Sequence, residues 1–459
     1  MVTLDGWGDG FFSKAYIFGS GCLYREIASG PAGTLPSGMI SITPSSHLTI
    51  GELYSAFTVG LGFRYNSDEG KVEALAAFGK LIPDLYNELI AGIEINETHF
   101  FILECLSKFY VHETFLKLKS FHSQEDIAHT IQKVLEDTVI AFVNKLNVPS
   151  DVEDLCLSGG CAANVILNLK VWENTRFKSL HVSPFMSDEG TAFGAAVLSA
   201  VKHDVLSEIE FIRDQKLPYW GPDYSEAKIL RAVDESKEVS IVRTSLSWFE
   251  FAAAALRDNK VLGFFQNRME FGPRALGNRS IIANPLDPKL RERLNVSMKR
   301  RPGWQPFCPI VLESLREEYF ESSFHHKHMA IAFRVLPSVQ DKIPSAVHVD
   351  GTARPQFVTA EDNLNLSILL EEFFRLTGVG CLINTSFNLH GRTIVRSPED
   401  ALRDFIDCDM DYLVFPPYLI VERAKEATRA EETAIDSGGT NPTTSHSSPI
   451  GILTTSKVR

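Results

Sequence analysis

The chain has 459 residues, 44% of them hydrophobic and 22% charged, which points past a single hydrophobic core to two or three domains and excludes disordered and fibrous classes. Its formal net charge of −13, from 58 acidic residues against 45 Lys and Arg, argues against a sequence-independent grip on nucleic acid but leaves room for a local basic pocket. Seven cysteines with no C-x-x-C pair, no signal-like start and no membrane-length apolar run predict a cytoplasmic protein without disulfides, structural zinc or membrane contact.

In chain order, Val2-Thr3-Leu4 predicts a short strand, Asp5 to Gly10 a turn, and Ala15 to Phe18 a second strand. Ser123 to Asn147 predicts the clearest helix. Ser123 can cap it, while Ile127, Ile131, Val134, Leu135, Phe142, Val143 and Leu146 share one face. Leu155-Cys156-Leu157 then predicts a buried strand, Ser158-Gly159-Gly160 a turn and Ala162 onward a helix. Leu180 to Val182 follows as a strand, Pro184 to Gly190 as a loop and Thr191 to Val201 as a helix. This alternation predicts an α/β fold with its site at strand ends. Between 207 and 240 the pattern weakens around Pro218, Gly221 and Pro222, which places a linker between a first domain, 1–206, and a second α/β domain, 241–423. From 424 to 459, 12 of 36 residues are Ser or Thr without hydrophobic period, which predicts a disordered tail.

The second domain carries the stronger chemical signal. Arg274 and Arg279 sit in the Gly-punctuated run Glu270 to Ser280, just after a predicted strand, Val261 to Phe265. Lys299, with Arg300 and Arg301, comes next, then Arg354 in His348 to Pro355, then Asn384 and Ser386 after the apolar strand Gly380 to Ile383. Guanidinium forks, a movable ammonium and short neutral donors together make a polyphosphate site. For any one residue a surface salt bridge is the plainer reading, but the set in so acidic a chain needs an anion. In the first domain, Gly159, Gly160 and Asn164 lie between a strand and a helix, where backbone N–H groups can approach a nucleotide. On local evidence Asp188 is a helix N-cap and Asp5 a hairpin residue. His325, His326 and His328 have no nearby carboxylate at a supporting spacing, and an exposed loop is expected there.

Taken together, these segments resemble the O-carbamoyltransferases of the nodulation-factor, cephamycin and tobramycin type. The resemblance rests on LDGWGDG (Leu4 to Gly10), SDEGKVEALAAFG (Ser67 to Gly79), LSGGCAAN (Leu157 to Asn164) and SDEGTAFGAA (Ser187 to Ala196). It continues through EFGPRALGNRSIIANP (Glu270 to Pro285), HVDGTARPQ (His348 to Gln356) and NTSFNLHG (Asn384 to Gly391), and so spans about residues 1 to 423. It implies an actin/hexokinase-like domain, similar to the tRNA threonylcarbamoyltransferases, followed by a YrdC-like domain. The implied activity is an ATP-binding carbamoyltransferase of natural-product biosynthesis. Carbamoyl-adenylate forms from ATP, with magnesium, and carbamoyl phosphate, and the carbamoyl group then passes to a hydroxyl of a small acceptor. Arg274, Lys299 and Arg354 would be catalytic, with Arg279, Asn384 and Ser386 binding the phosphates. Gly159, Gly160 and Asn164 would hold the adenosine, and Asp5 and Asp188 would ligate iron(II) or another divalent metal.

Two departures from the family accompany the match. Gln305 stands before Pro306-Phe307, where the family often has Arg. The upstream H-x-x-x-H region that completes the family's metal site is absent, so a chain lacking the first subdomain, with the transfer step lost, is the expectation. A separately encoded N-terminal fragment or a homodimer would then be partners, with no nucleic acid among them. The rival readings are a tRNA threonylcarbamoyl-type enzyme and an inactive remnant serving as a binding partner.

Overall fold

Strand pairing begins at the second residue. Val2–Gly8 pairs antiparallel with Phe11–Phe18, and that strand pairs antiparallel with Tyr24–Pro31. On its other edge Val2–Gly8 runs parallel to Asp154–Ser158, which runs parallel to Ser179–Val182. The computed structural model describes residues 1–8, 11–18, 24–31, 33–34, 47–97, 99–203, 205 and 217–424. The turn expected over Asp5 to Gly10 is therefore corrected: the strand continues to Gly8, because Val2, Leu4 and Gly8 stay opposite Ala15, Ser13 and Phe11. An irregularity in the register between Leu4 and Gly8 absorbs the glycines.

Helix Ile50–Gly60 lies against Val2–Gly8, and the long helix Gln124–Lys145 packs on it and on Glu69–Ala76 and Val165–Asn174. The long helix begins as its sequence predicts, with the Ser123 hydroxyl accepting from the Asp126 N–H at 3.1 Å. The helix expected from Ala162 starts later. A single 3₁₀ turn, Gly160–Ala163, intervenes, and Asn164 caps Val165–Asn174.

The second half is an eight-stranded mixed sheet. Its spatial order is Val239–Ile241, Leu419–Arg423, Tyr412–Phe415, Leu262–Phe265, Arg279–Ala283, Cys381–Ser386, Cys308–Leu312 and Gln356–Val358. Leu262–Phe265 with Tyr412–Phe415 and Cys308–Leu312 with Gln356–Val358 are the parallel pairs. Strands 262–265, 279–283 and 308–312 are buried at every position, which requires cover on both faces. The architecture is therefore α/β with mixed sheets.

Of the stretch expected as a linker, residues 207–216 lie outside the described residues, as do 425–459 of the expected tail. Residues 217–240 belong to the second half. The Pro222 carbonyl accepts from Met269 N–H and the Pro218 carbonyl from Phe271 N–H, zipping this stretch onto the Arg274 loop. Ser225 then caps Glu226–Glu235, which packs on Pro398–Ile406. The weak hydrophobic period reflects one short buried stripe, Ile229, Ala232 and Val233.

Met1–Arg423 is one compact unit, and helix Val165–Asn174 joins its halves. The buried Asn168 amide donates to the Ala162 and Ala330 carbonyls at 2.7 Å each. Trp172 meets Phe324 edge-on at 4.9 Å, and Glu173 pairs with Arg334 at 2.8 Å. Among the described residues no helix is long and apolar enough to cross a membrane.

Candidate functional site

A cleft of about 1580 Å³ opens between the two halves. Its cationic wall comes from three loops at strand ends of the second sheet. The first loop is shaped by Glu270, whose Oε1 accepts the backbone N–H groups of Leu276, Asn278 and Arg279 at 2.8, 2.7 and 3.1 Å. Gly272 and Gly277 turn it at φ 113° and 102°, a region that side chains disfavour. The loop thus presents Arg274, whose Nη2 reaches the Ala163 carbonyl of the first half at 3.4 Å and whose buried Nε has no partner. Burial lowers the Arg274 pKa, and the neighbouring charge of Arg354 lowers it further.

Arg354 stands between the short strands Thr352–Ala353 and Gln356–Val358, and its Nε and Nη2 point at the Cys308 sulfur at 3.1 and 2.8 Å. Arg301 stacks on Phe307 at 4.6 Å and donates to Asn295 Oδ1 at 2.6 Å. Burial, with Arg354 pushing the same way, takes it down to about 10. Lys299 is 6% exposed and donates to Ser386 Oγ at 3.3 Å, Asn388 O at 3.0 Å and Asn388 Oδ1 at 2.9 Å. Burial and then the Arg301 charge pull it from the usual lysine value to about 7.

None of these four cations makes an ion pair with a carboxylate among the described residues, so their charge is unbalanced within the cleft. A counter-charge felt by Arg274 is Glu73 of the first half. Its Oε1 accepts the Ile166 N–H at 2.9 Å, and its pKa is raised by burial despite Arg354 and Arg274. Four converging donors without counter-ions form a site for an anion of several charges. The opposite wall is acidic, with Glu52, Glu69, Asp188 and Glu189. Asp68 there is locked to Lys71 and Arg64 at 2.8 and 3.3 Å; burial opposes ionisation, but those bonds hold it down to about 2.

Of the residues expected at a ligand, Arg274, Lys299, Arg354, Ser386, Gly160, Asn164 and Asp188 line this cleft. Arg279 and Asn384 do not. Arg279 is wholly buried, donates to the Gln266, Asn278 and Asn267 carbonyls at 2.5, 2.9 and 3.1 Å, and covers the Phe265 ring at 3.7 Å. Asn384 donates to the Ala275 carbonyl at 2.9 Å and so pins the Arg274 loop to its strand. Gly159 is a backbone requirement: a Cβ there would lie 2.1 Å from the Leu4 carbonyl. Asn164 lines the cleft while capping its helix and pairing with Gln132 at 2.8 and 3.1 Å.

Asp188 begins helix Glu189–Lys202 but makes no capping bond, so the N-cap expectation fails there. The Asp5 side chain lies outside the described residues. Among the described residues no three His, Cys, Asp or Glu are grouped to hold a metal, so the described donor set does not fit a metal by itself, and no step is routed through one. The histidine run is not simply an exposed loop. His326 is 4% exposed and accepts the Ala330 N–H at 3.0 Å, facing His328 at 5.8 Å.

Glu73, Glu270 and Asn388 also shape the site, though none stood out in the sequence, and Arg301 was noted there only beside Lys299. Each lies inside a motif already noted, but a buried carboxylate and a surface one look alike in sequence.

Residues 1–197 match the family described as Carbamoyltransferase N-terminus, and residues 253–422 match Carbamoyltransferase C-terminus. Nodulation protein NolO of Bradyrhizobium diazoefficiens is 32% identical over 92% of this chain and 75% of its own length. An uncharacterized protein of Methanocaldococcus jannaschii is 47% identical over 81% of this chain and 62% of its own, and Nodulation protein NolNO of Sinorhizobium fredii is 31% identical over 92% and 61%. The chain thus spans a little over three-fifths of those two relatives. A solved structure of full-length HypF in the phosphate- and nucleotide-bound form overlaps 40% of this chain at 17% identity and a TM-score of 0.27, too loosely to bear on the fold.

Proposed function

This chain belongs to the carbamoyltransferase family, and we propose that its cleft makes carbamoyl-adenylate from ATP and carbamoyl phosphate for transfer to a hydroxyl of a small acceptor. The observation that supports this reading is the set of four cations without carboxylate partners. Two phosphorylated substrates, ATP as its magnesium complex and carbamoyl phosphate, would supply the missing negative charge. When a carbamate oxygen attacks the α-phosphorus, negative charge builds on phosphorus while pyrophosphate leaves. Arg274, Arg301 and Arg354 can stabilise that charge with donors already fixed in a partly dry site. Lys299, held by Ser386 and Asn388, would contact the phosphates as a movable charge.

The acidic wall suits the other half of the reaction. Carboxylates there can accept hydrogen bonds from the hydroxyls of a polyol or sugar acceptor. In this reading the first half has an actin/hexokinase-like fold, consistent with the two antiparallel and two parallel pairings of its five-stranded sheet, and the second half is YrdC-like.

The test is ATP–pyrophosphate exchange dependent on carbamoyl phosphate. Lys299→Ala and Arg354→Ala should each lower it roughly 10- to 150-fold, the loss for one charge-assisted phosphate contact. Exchange within about twofold of wild type in both variants would remove the assignment, being far less than that loss.

A further inference from the structure

His348 lies in the same cleft and has no task in the adenylation step. It is 8% exposed, and its Nε2 is buried without a hydrogen-bond partner. A buried, unpaired ring nitrogen is costly and calls for a ligand or a function. The other nitrogen, Nδ1, faces Asp350 Oδ1 at 3.5 Å, and the same oxygen accepts the Thr352 N–H at 3.0 Å and hydroxyl at 2.7 Å. Burial would raise the Asp350 pKa, but the bonds from His348 and Thr352 hold it below its usual value. The turn is closed by the His348 N–H on the Thr352 carbonyl at 2.9 Å, with Gly351 at φ 77°. From the first half, the Phe78 ring meets His348 edge-on at 5.6 Å and limits its swing.

A carboxylate on Nδ1 fixes the tautomer that leaves the Nε2 lone pair free. Glu73, Arg274, Lys299, Arg301 and Arg354 are among the titratable groups that line the cleft with His348, and Asp350 stands behind the ring. The cations already offer donors to phosphate oxygens. What they cannot offer is an acceptor for a proton, and Nε2 can.

We infer that His348 Nε2, held by Asp350, accepts the proton of a water that attacks carbamoyl phosphate and so releases the carbamate consumed in adenylation. This rests on the proposed function above. The water oxygen bonds to the carbamoyl carbon, the carbon–oxygen bond to phosphate breaks, and its electron pair leaves on phosphate. The water proton passes through Nε2 to the phosphate. Carbamic acid loses its own proton, which gives carbamate and dihydrogen phosphate with charge conserved.

The experiment drives ATP–pyrophosphate exchange in the full chain from two sources, carbamoyl phosphate or ammonium bicarbonate, which contains carbamate at equilibrium. His348→Gln should lose about 100-fold or more of the carbamoyl-phosphate-driven rate, the scale of general base catalysis. Its carbamate-driven rate should stay within about threefold of wild type, because that route skips the hydrolysis. Asp350→Asn, which only positions the ring, should show the same split with a smaller loss. Lys299→Met should lose both rates. If His348→Gln keeps the carbamoyl-phosphate rate, or loses both rates alike, the inference is overturned. A wild-type chain inactive with both sources would instead overturn the adenylation reading beneath it.

Discussion

Arg274 and Arg279 lie five residues apart in one loop and do opposite things. Arg279 donates to four main-chain carbonyls and covers Phe265, so it contributes to stability. Arg274 is desolvated beside the Arg354 cation and reaches the Ala163 carbonyl only at 3.4 Å, so it costs stability that a bound anion would offset. Arg279→Met should therefore destabilise the protein by about 1–3 kcal/mol, since buried carbonyls lose their donor. Arg274→Met should leave stability unchanged or raise it while abolishing exchange. Urea unfolding beside the exchange assay checks both, and an Arg274→Met protein destabilised as much as Arg279→Met would show that the two roles are not separate.

Among the elements, helix Val165–Asn174 is the one on which both halves depend. It starts where it does because Asn164 accepts the Leu167 N–H at 2.8 Å and Glu73 accepts the Ile166 N–H at 2.9 Å. Negative charge from Glu73 at that end is favourable to the helix dipole. Asn164→Ala should cost about 1 kcal/mol for the lost cap, and more for the Gln132 amide left unpaired. With Asn164 serving the helix, the KM for ATP in the exchange assay should stay within about twofold, the change expected of a residue that makes no substrate contact. A large rise in KM with unchanged stability would return Asn164 to the adenosine, as the family resemblance implies.

At the scale of the whole molecule, the cleft sets one cationic wall against one acidic wall, and folding buries cations that make no ion pair among the described residues. Lys299 makes this measurable. Its folded pKa, about 7, lies below the unfolded value, so below pH 7 the buried ammonium penalty is fully present. As pH rises from about 7 toward the unfolded lysine value near 10.4, the folded state sheds the proton first and stability rises, by at most about 1.4 kcal/mol per pH unit. ATP would supply the counter-charge and relieve the penalty where it exists. Its stabilisation, read as a rise in Tm at saturating concentration, should be larger at pH 7 than at pH 9. In Lys299→Met that difference should vanish; equal rises at both pH values in the wild type would show that Lys299 is not charged against the ligand.

The elements that depend on local chemistry were legible in the sequence. Ser123 marked the start of the long helix, the strands 155–157 and 180–182 showed as short strand patterns, and Arg274, Lys299, Arg354 and Ser386 stood out as one set in loops after predicted strands, and they line one cleft. Hairpin extension through Asp5 was not legible, since it depends on which residue of the partner strand lies opposite. Nor was the incorporation of 217–240, whose hydrogen bonds go to residues some fifty positions away. The sequence by itself determined which residues could carry the chemistry, because charge and hydrogen-bonding capacity belong to a side chain wherever it lies. Only the tertiary structure decided that Arg279 and Asn384 face inward, that Glu73 crosses to the arginines and that His348 keeps a free nitrogen, because burial and pairing belong to neighbours brought from distant parts of the chain.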